Sequence, residues 1–213
     1  MLTHQFLKLA GAGGEWVLWL LLLISFVSFS TMVERWFFFR RREVDVRALG
    51  AEVLSKLEAK DVAGARAVLR AHRSVEAAIL DRALDWLDDG ADAMQQGLQA
   101  ALAEQRPVLD KGTTLLGTIG NNAPFVGLFG TVLGVVQAFR HLEGGPSGEM
   151  GAVMASIAEA LVATAVGIGV ALPAVAAFNY FSGRAADVEE RAEALVNLVL
   201  ARLRSQRKPG LGE

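Results

Sequence analysis

No cysteine occurs anywhere in the 213 residues, which excludes disulfides, thiol catalysis and thiolate metal sites. Histidine is nearly as scarce. The three, His4, His72 and His141, stand far apart, and no nucleophile, metal or phosphate-loop spacing forms around them. A basic excess is missing too: 21 Lys and Arg against 23 Asp and Glu give a formal net charge of -2. A nucleic-acid partner would show as clustered positive charge, so none is expected. No alternating strand pattern and no internal repeat stands out. These absences argue against an enzyme, and no cofactor is implied.

What the chain has instead is apolar length. Hydrophobic residues make up 53% of it and charged residues 21%, and the two classes are segregated along the sequence. From Trp16 to Val33 the run "WVLWLLLLISFVSFSTMV" carries no charge over its whole length, enough for a transmembrane helix. It leads into Glu34, Arg35, the aromatic run "WFFF" and Arg40, Arg41 and Arg42. A cleaved leader would end in small residues after a shorter apolar core, so this segment is expected to stay as an anchor. A second apolar segment runs from near Leu115 to Phe139, and a third from about Val153 to Phe181. Lys8 alone precedes the first span, whereas Arg35, Arg40, Arg41, Arg42 and Arg47 follow it, and Arg184 and Arg191 follow the third. The Lys/Arg bias puts the N-terminus outside and the C-terminus in the cytoplasm.

Residues 43 to 111 mix both charges, with apolar positions at helical spacing: Val53, Leu54, Leu57, then Val68, Leu69, then Ile79, Leu80, Leu84, Leu87. That spacing predicts amphipathic helices. Asp61 and Ser74 are candidate N-caps, and Gly90 marks a turn. From Arg184 to Arg204 another helix is predicted, with Val188, Ala192, Leu195, Val196, Leu198 and Val199 on its apolar side. The tail "RKPGLGE" reads as frayed.

Spans two and three are rich in small residues. Span two holds Gly127, Gly130 and Gly134, and span three holds Ala158, Ala160, Ala163, Ala165, Gly167 and Gly169. Small residues let helix backbones approach closely in lipid, so these two spans are expected to pack on protein while the Leu- and Phe-rich first span faces lipid. Pro124 and Pro173 each free a backbone carbonyl and are candidate kinks. Asn121 and Asn122 either hydrogen-bond near the cytoplasmic end of span two or form a plain turn into its helix.

Within "IAEALVATAVG", residues 157 to 167, stands one carboxylate, Glu159. An ionised acid at membrane depth costs at least about 2.5 kcal/mol, so it normally faces protein or water and marks a pathway. Two readings stand open: Glu159 snorkels to the outer interface, or it faces a polar path. Thr131 in span two and Thr164 in span three would suit such a path, since a hydroxyl both donates and accepts. Each threonine could equally bond its own helix. Glu159 and Thr164 are five residues apart, about 140° around an ideal helix, so they flank a surface instead of stacking on it.

The pair "APFVGLFGTVLGVVQAF" and "IAEALVATAVGIGVALPAVAAFNYF" closely resembles the last two spans of the MotA/TolQ/ExbB proton-channel family, in its TolQ/ExbB branch. The resemblance implies an all-α membrane protein with three transmembrane helices, the long helices extending into a cytoplasmic helical domain. The expected layout is a short periplasmic N-terminus (1–15), transmembrane helix 1 (16–39), a cytoplasmic helical region (40–112), transmembrane helix 2 (113–139), a periplasmic loop (140–152), transmembrane helix 3 (153–181) and a cytoplasmic C-terminal helix and tail (182–213).

It further implies a bacterial inner-membrane motor subunit, forming a homo-oligomer, typically a pentamer, around a dimeric ExbD/TolR-like single-span partner with an intramembrane Asp. A TonB/TolA-like protein is a possible further partner. Thr131, Glu159 and Thr164 match the family's lumen-lining proton-pathway positions. The resemblance leaves the TonB-linked, Tol-Pal and gliding-type systems open. A non-conducting scaffold, in which Glu159 makes only a structural hydrogen bond, is the competing class.

Overall fold

The computed structural model describes residues 15–143 and 150–206. The expected periplasmic N-terminus up to residue 14, residues 144–149 of the loop between the second and third spans, and the tail from residue 207 lie outside the described residues. Among those described there is no strand. The elements are α1 (Glu15–Arg41), α2 (Val46–Glu58), α3 (Val62–Ala71), α4 (Val75–Ala83), a 3-10 turn (Leu84–Trp86), α5 (Ala91–Asp110), α6 (Thr113–Glu143) and α7 (Met150–Gln206). Three of them, α1, α6 and α7, are long and apolar enough to cross a membrane. The chain divides into two compact units, Met1–Arg35 with Gly112–Tyr180 and Trp36–Lys111 with Phe181–Glu213.

In the first unit, α1 shows one narrow buried side: Val17, Leu21, Ser28, Thr31 and Arg35 recur at intervals of three, four or seven residues. This is the seam of a helix that packs on one face only. Around the rest of α1, Trp19, Leu22, Leu23, Phe26 and Phe29 are exposed, as suits a helix in a hydrocarbon solvent. Val17 and Leu21 join Ile119, Ala123 and Leu133 of α6 and Val170, Ala171 and Ala174 of α7 in one apolar cluster. Thr31 fits this seam because its hydroxyl donates to its own helix at the Val27 carbonyl, 2.8 Å away, whereas the buried Ser28 hydroxyl has no hydrogen-bond partner among the described residues. Arg35, which by sequence belongs to the charged flank beyond the first span, is 1% exposed. Its aliphatic stem runs near Gly112, whose φ of +75° forms the turn ahead of α6.

In the second unit the helix starts are set by side-chain caps. Asp45 accepts from the Arg47 and Ala48 amides, Asp61 from Gly64, and Ser74 from Ala77, which satisfies donors that a first helical turn leaves open. Gly90, at φ +103°, supplies the left-handed turn before α5. The core takes Val53, Leu69, Ile79, Leu80 and Leu84 at 2% exposure or less.

From α7 it takes Val188, Ala192, Leu195, Val196 and Val199, together with Leu200. Leu198 departs from expectation: it is 47% exposed, because it sits about 100° around the helix from Val199. Three ion pairs fasten this stretch of α7: Arg184 to Glu43 at 3.4 Å, Arg191 to Glu76 at 3.4 Å and Arg202 to Glu58 at 2.7 Å. Glu76 is itself buried, and burial pushes its carboxyl above the usual carboxylate range. Its own backbone N–H and the guanidinium groups of Arg191 and Arg184 pull the other way.

Candidate functional site

The site rests on how closely α6 and α7 approach. A Cβ placed on Gly127 would stand 2.8 Å from the Ala163 carbonyl oxygen and 3.0 Å from the Thr164 Cα. One placed on Gly167 would stand 2.8 Å from the Ala123 carbonyl oxygen and 3.0 Å from the Gly127 Cα. Backbone thus meets backbone, which only paired small residues allow. Toward the C-terminal end of α6, Gly130 sits against Ala163 and Gly134 against Ala160 and the Ser156 carbonyl; toward its N-terminal end, Gly117 and Gly120 lie against Phe178 and Val175. The helices therefore run antiparallel along a seam made by Gly127, Gly130 and Gly134 on one side and Ser156, Ala160, Ala163 and Gly167 on the other.

The three polar residues predicted from sequence are placed by this seam. Gly127 faces 163–167 and Gly134 faces 156–160, so Thr131, between the two glycines on α6, falls level with the stretch from Glu159 to Thr164. The structure brings all three to one depth of the first unit. It does not put them on one face. With Ala160, Ala163 and Gly167 turned to α6, Glu159 and Thr164 fall to opposite edges of the packed stripe on an ideal helix. Both are half-buried, and Glu159 Oε1 and Thr164 Oγ1 are shielded from solvent without a hydrogen bond to any described residue. Such groups cost free energy unless a partner completes them.

Thr131 differs. Its hydroxyl donates to the Leu128 carbonyl of its own helix at 2.7 Å.

The other sequence candidates resolve as follows. Asn122 donates to the Thr118 carbonyl at 2.8 Å, and α6 begins well before it, so the residue serves its own helix and forms no turn into it. Helices α6 and α7 run unbroken through Pro124 and Pro173. Ser156, buried in the seam with its hydroxyl on the Ala152 carbonyl, was not singled out from sequence. Its spacing of four and seven residues from Ala160 and Ala163 is the signal that could have found it. No cluster of three or more metal-ligating side chains forms among the described residues.

Comparison with known proteins places this seam in context. Residues 71–194, which include the cap at Ser74, the whole of α6 and the polar stretch of α7, match the MotA/TolQ/ExbB proton channel family. The Tol-Pal system protein TolQ of Pseudomonas aeruginosa is 40% identical over 97 residues, covering 44% of this chain and 42% of that protein. The biopolymer transport protein ExbB of Xanthomonas campestris is 42% identical over 92 residues, 43% of this chain and 36% of that protein. ExbB of Neisseria gonorrhoeae is 39% identical over 112 residues, 52% of this chain and 50% of that protein. The chain thus spans half or less of the length of these curated relatives. With a family match over more than half of its residues, three membrane-length helices and relatives of both names, the chain belongs to the MotA/TolQ/ExbB proton channel family, in its TolQ/ExbB branch.

Proposed function

We propose that the chain is an ExbB/TolQ-like subunit of a motor in the bacterial inner membrane, driven by the proton-motive force. Its N-terminus is periplasmic and its C-terminus cytoplasmic. Several copies, five by family analogy, form a ring around the helices of an ExbD/TolR-like partner, and proton flow through the assembly energises envelope transport or maintenance. The observation that carries this reading is the pair of shielded, unpartnered oxygens on Glu159 and Thr164 beside a backbone-close helix seam. A lone protomer leaves both unsatisfied, and a polar path shared with a neighbouring copy or a partner's acid would complete them. The two side chains leave the seam on opposite edges, so polar groups flank both sides of the helix pair, which suits a subunit packed within a ring.

Thr131, bonded to its own helix, is the member of the set that fits a non-conducting scaffold equally well. The test is co-purification in mild detergent with a single-span protein bearing an Asp in its helix and encoded beside this chain, followed by native mass spectrometry. A ring of several copies holding that partner supports the reading. Recovery of this chain only as a monomer, with no partner retained, overturns it.

A further inference from the structure

Past the uncharged run that stops at Val33, α1 closes on an aromatic stretch and two arginines, with Arg42 in the turn that follows. Each guanidinium is folded back over the ring four residues before it. Arg40 lies 4.9 Å from the Trp36 ring centroid, Arg41 5.6 Å from that of Phe37 and Arg42 4.3 Å from that of Phe38. The three pairs step round the helix by about 100° each, so they form a collar over roughly 200° of its end. Trp36, Phe37 and all three arginines are exposed.

A guanidinium seated on a ring is held in place while its N–H edge stays open. No acid closes that edge, because Arg40, Arg41 and Arg42 make no ion pair among the described residues. Other arginines of the second unit are neutralised: Arg66 by Asp85, Arg82 by Glu104, Arg191 by Glu76 and Arg202 by Glu58. Glu43 is next to Arg42 in the sequence, yet it pairs with Arg184 at 3.4 Å. Complementing the carbonyl end of α1 accounts for positive charge here. It does not account for three ordered guanidinium groups with their donors unused.

The depth of the collar narrows its ligand. Arg40 stands seven residues beyond Val33, about 10 Å along the helix, and its side chain reaches back one turn of about 5 Å. With α1 across the bilayer, this sets the charges just outside the hydrocarbon, among the lipid headgroups, and the rings at the interface.

We propose that the collar binds an anionic phospholipid of the phosphatidylglycerol class. Its phosphodiester oxygens accept from Arg41 and Arg42, and its acyl chains start along the exposed rings of Trp36 and Phe37. A phosphatidylcholine headgroup offers the same oxygens but brings its own cation against the arginines, so it binds more weakly. Such a site needs α1 to cross the bilayer and needs neither a ring nor a partner protein.

The test uses the full-length protein in mild detergent, mixed with micelles holding phosphatidylglycerol and phosphatidylcholine in equal amounts. Native mass spectrometry counts the lipid retained. The parent is expected to favour phosphatidylglycerol, and Arg41→Gln with Arg42→Gln should lower that preference roughly 25-fold, about five-fold for each arginine at an anionic surface. Arg41→Lys with Arg42→Lys keeps the charge and should keep most of the preference, which separates lost binding from lost fold. Arg106→Gln, at an exposed arginine that already pairs with Asp110, should change nothing. Glycerol 3-phosphate carries the phosphate without chains and should not displace the lipid. Equal retention of both lipids by the parent, an unchanged preference in the glutamine variant, an equal loss in Arg106→Gln, or displacement by glycerol 3-phosphate each overturn the proposal. None of these readouts involves a partner, so failure here leaves the motor reading standing.

Discussion

Placing one methyl group in the α6–α7 seam tests whether the closeness of these helices is structural. Gly127→Ala puts a Cβ 2.8 Å from the Ala163 carbonyl oxygen and 3.0 Å from the Thr164 Cα, where carbon contacts are comfortable only near 3.5 Å or beyond. Both obstructing atoms are backbone or bonded directly to it, so no rotamer change relieves the clash and the helices must part by about half an ångström. Overpacking of this kind costs about 1–3 kcal/mol. For a chain of this size each kcal/mol shifts the melting temperature by about 2–4 °C, so Gly127→Ala is expected to melt about 2–12 °C below the parent in the same detergent. Gly167→Ala, blocked by the Ala123 carbonyl and the Gly127 Cα, should behave alike. The control is Gly183→Ala, a mid-helix glycine whose added Cβ meets nothing within 4 Å; helix propensity makes it neutral or stabilising by up to about 1 kcal/mol. Melting of Gly127→Ala at or above the Gly183→Ala temperature would refute the reasoning.

Two further outcomes concern the second unit. Ser74→Ala removes the hydroxyl that accepts from the Ala77 amide at 3.2 Å and should cost about 1 kcal/mol, read as a lower denaturation midpoint with an unchanged denaturant slope; an unchanged midpoint would show that the cap carries no stability. Glu76 binds its proton more tightly folded than unfolded, so its contribution to stability is full below the ordinary glutamate value of 4.5 and is lost as pH rises through its raised folded value. Glu76→Gln should therefore flatten the decline in stability just above pH 4.5, in thermal melts collected pH by pH. A variant whose curve stays parallel to the parent's throughout would contradict the burial argument.

Much of the fold was legible because membrane solvation leaves a coarse signal. Uninterrupted apolar runs predict α1, α6 and the apolar part of α7, whose remainder was expected as a separate helix over 184–204 and instead continues without a break, and the cap chemistry of Asp61 and Ser74 predicts where α3 and α4 begin. What the sequence could not show is which face of each helix meets which neighbour. Leu198 has the composition of a core residue but lies off the buried stripe, and Arg35 looks like an interfacial charge yet is 1% exposed. The site divides the same way. The small residues of α6 and α7 announced a close contact, and the five-residue spacing of Glu159 and Thr164 gave their divergence. That α6 occupies the face between them needed the register set by Gly127 and Gly134.

Thr131 and Thr164 were alike in sequence. Only the structure distinguishes the hydroxyl held by its own helix from the one left open.

The central claim is that Glu159 and Thr164 belong to a proton path. Its most direct test is proton uptake into vesicles containing the assembled complex of this chain with its single-span partner, followed with a lumenal pH dye under an imposed gradient. Glu159→Ala and Thr164→Val are predicted to assemble normally and to lower uptake to the level of vesicles without protein. Near-normal uptake by both variants in intact complexes would contradict the account and leave the seam a scaffold.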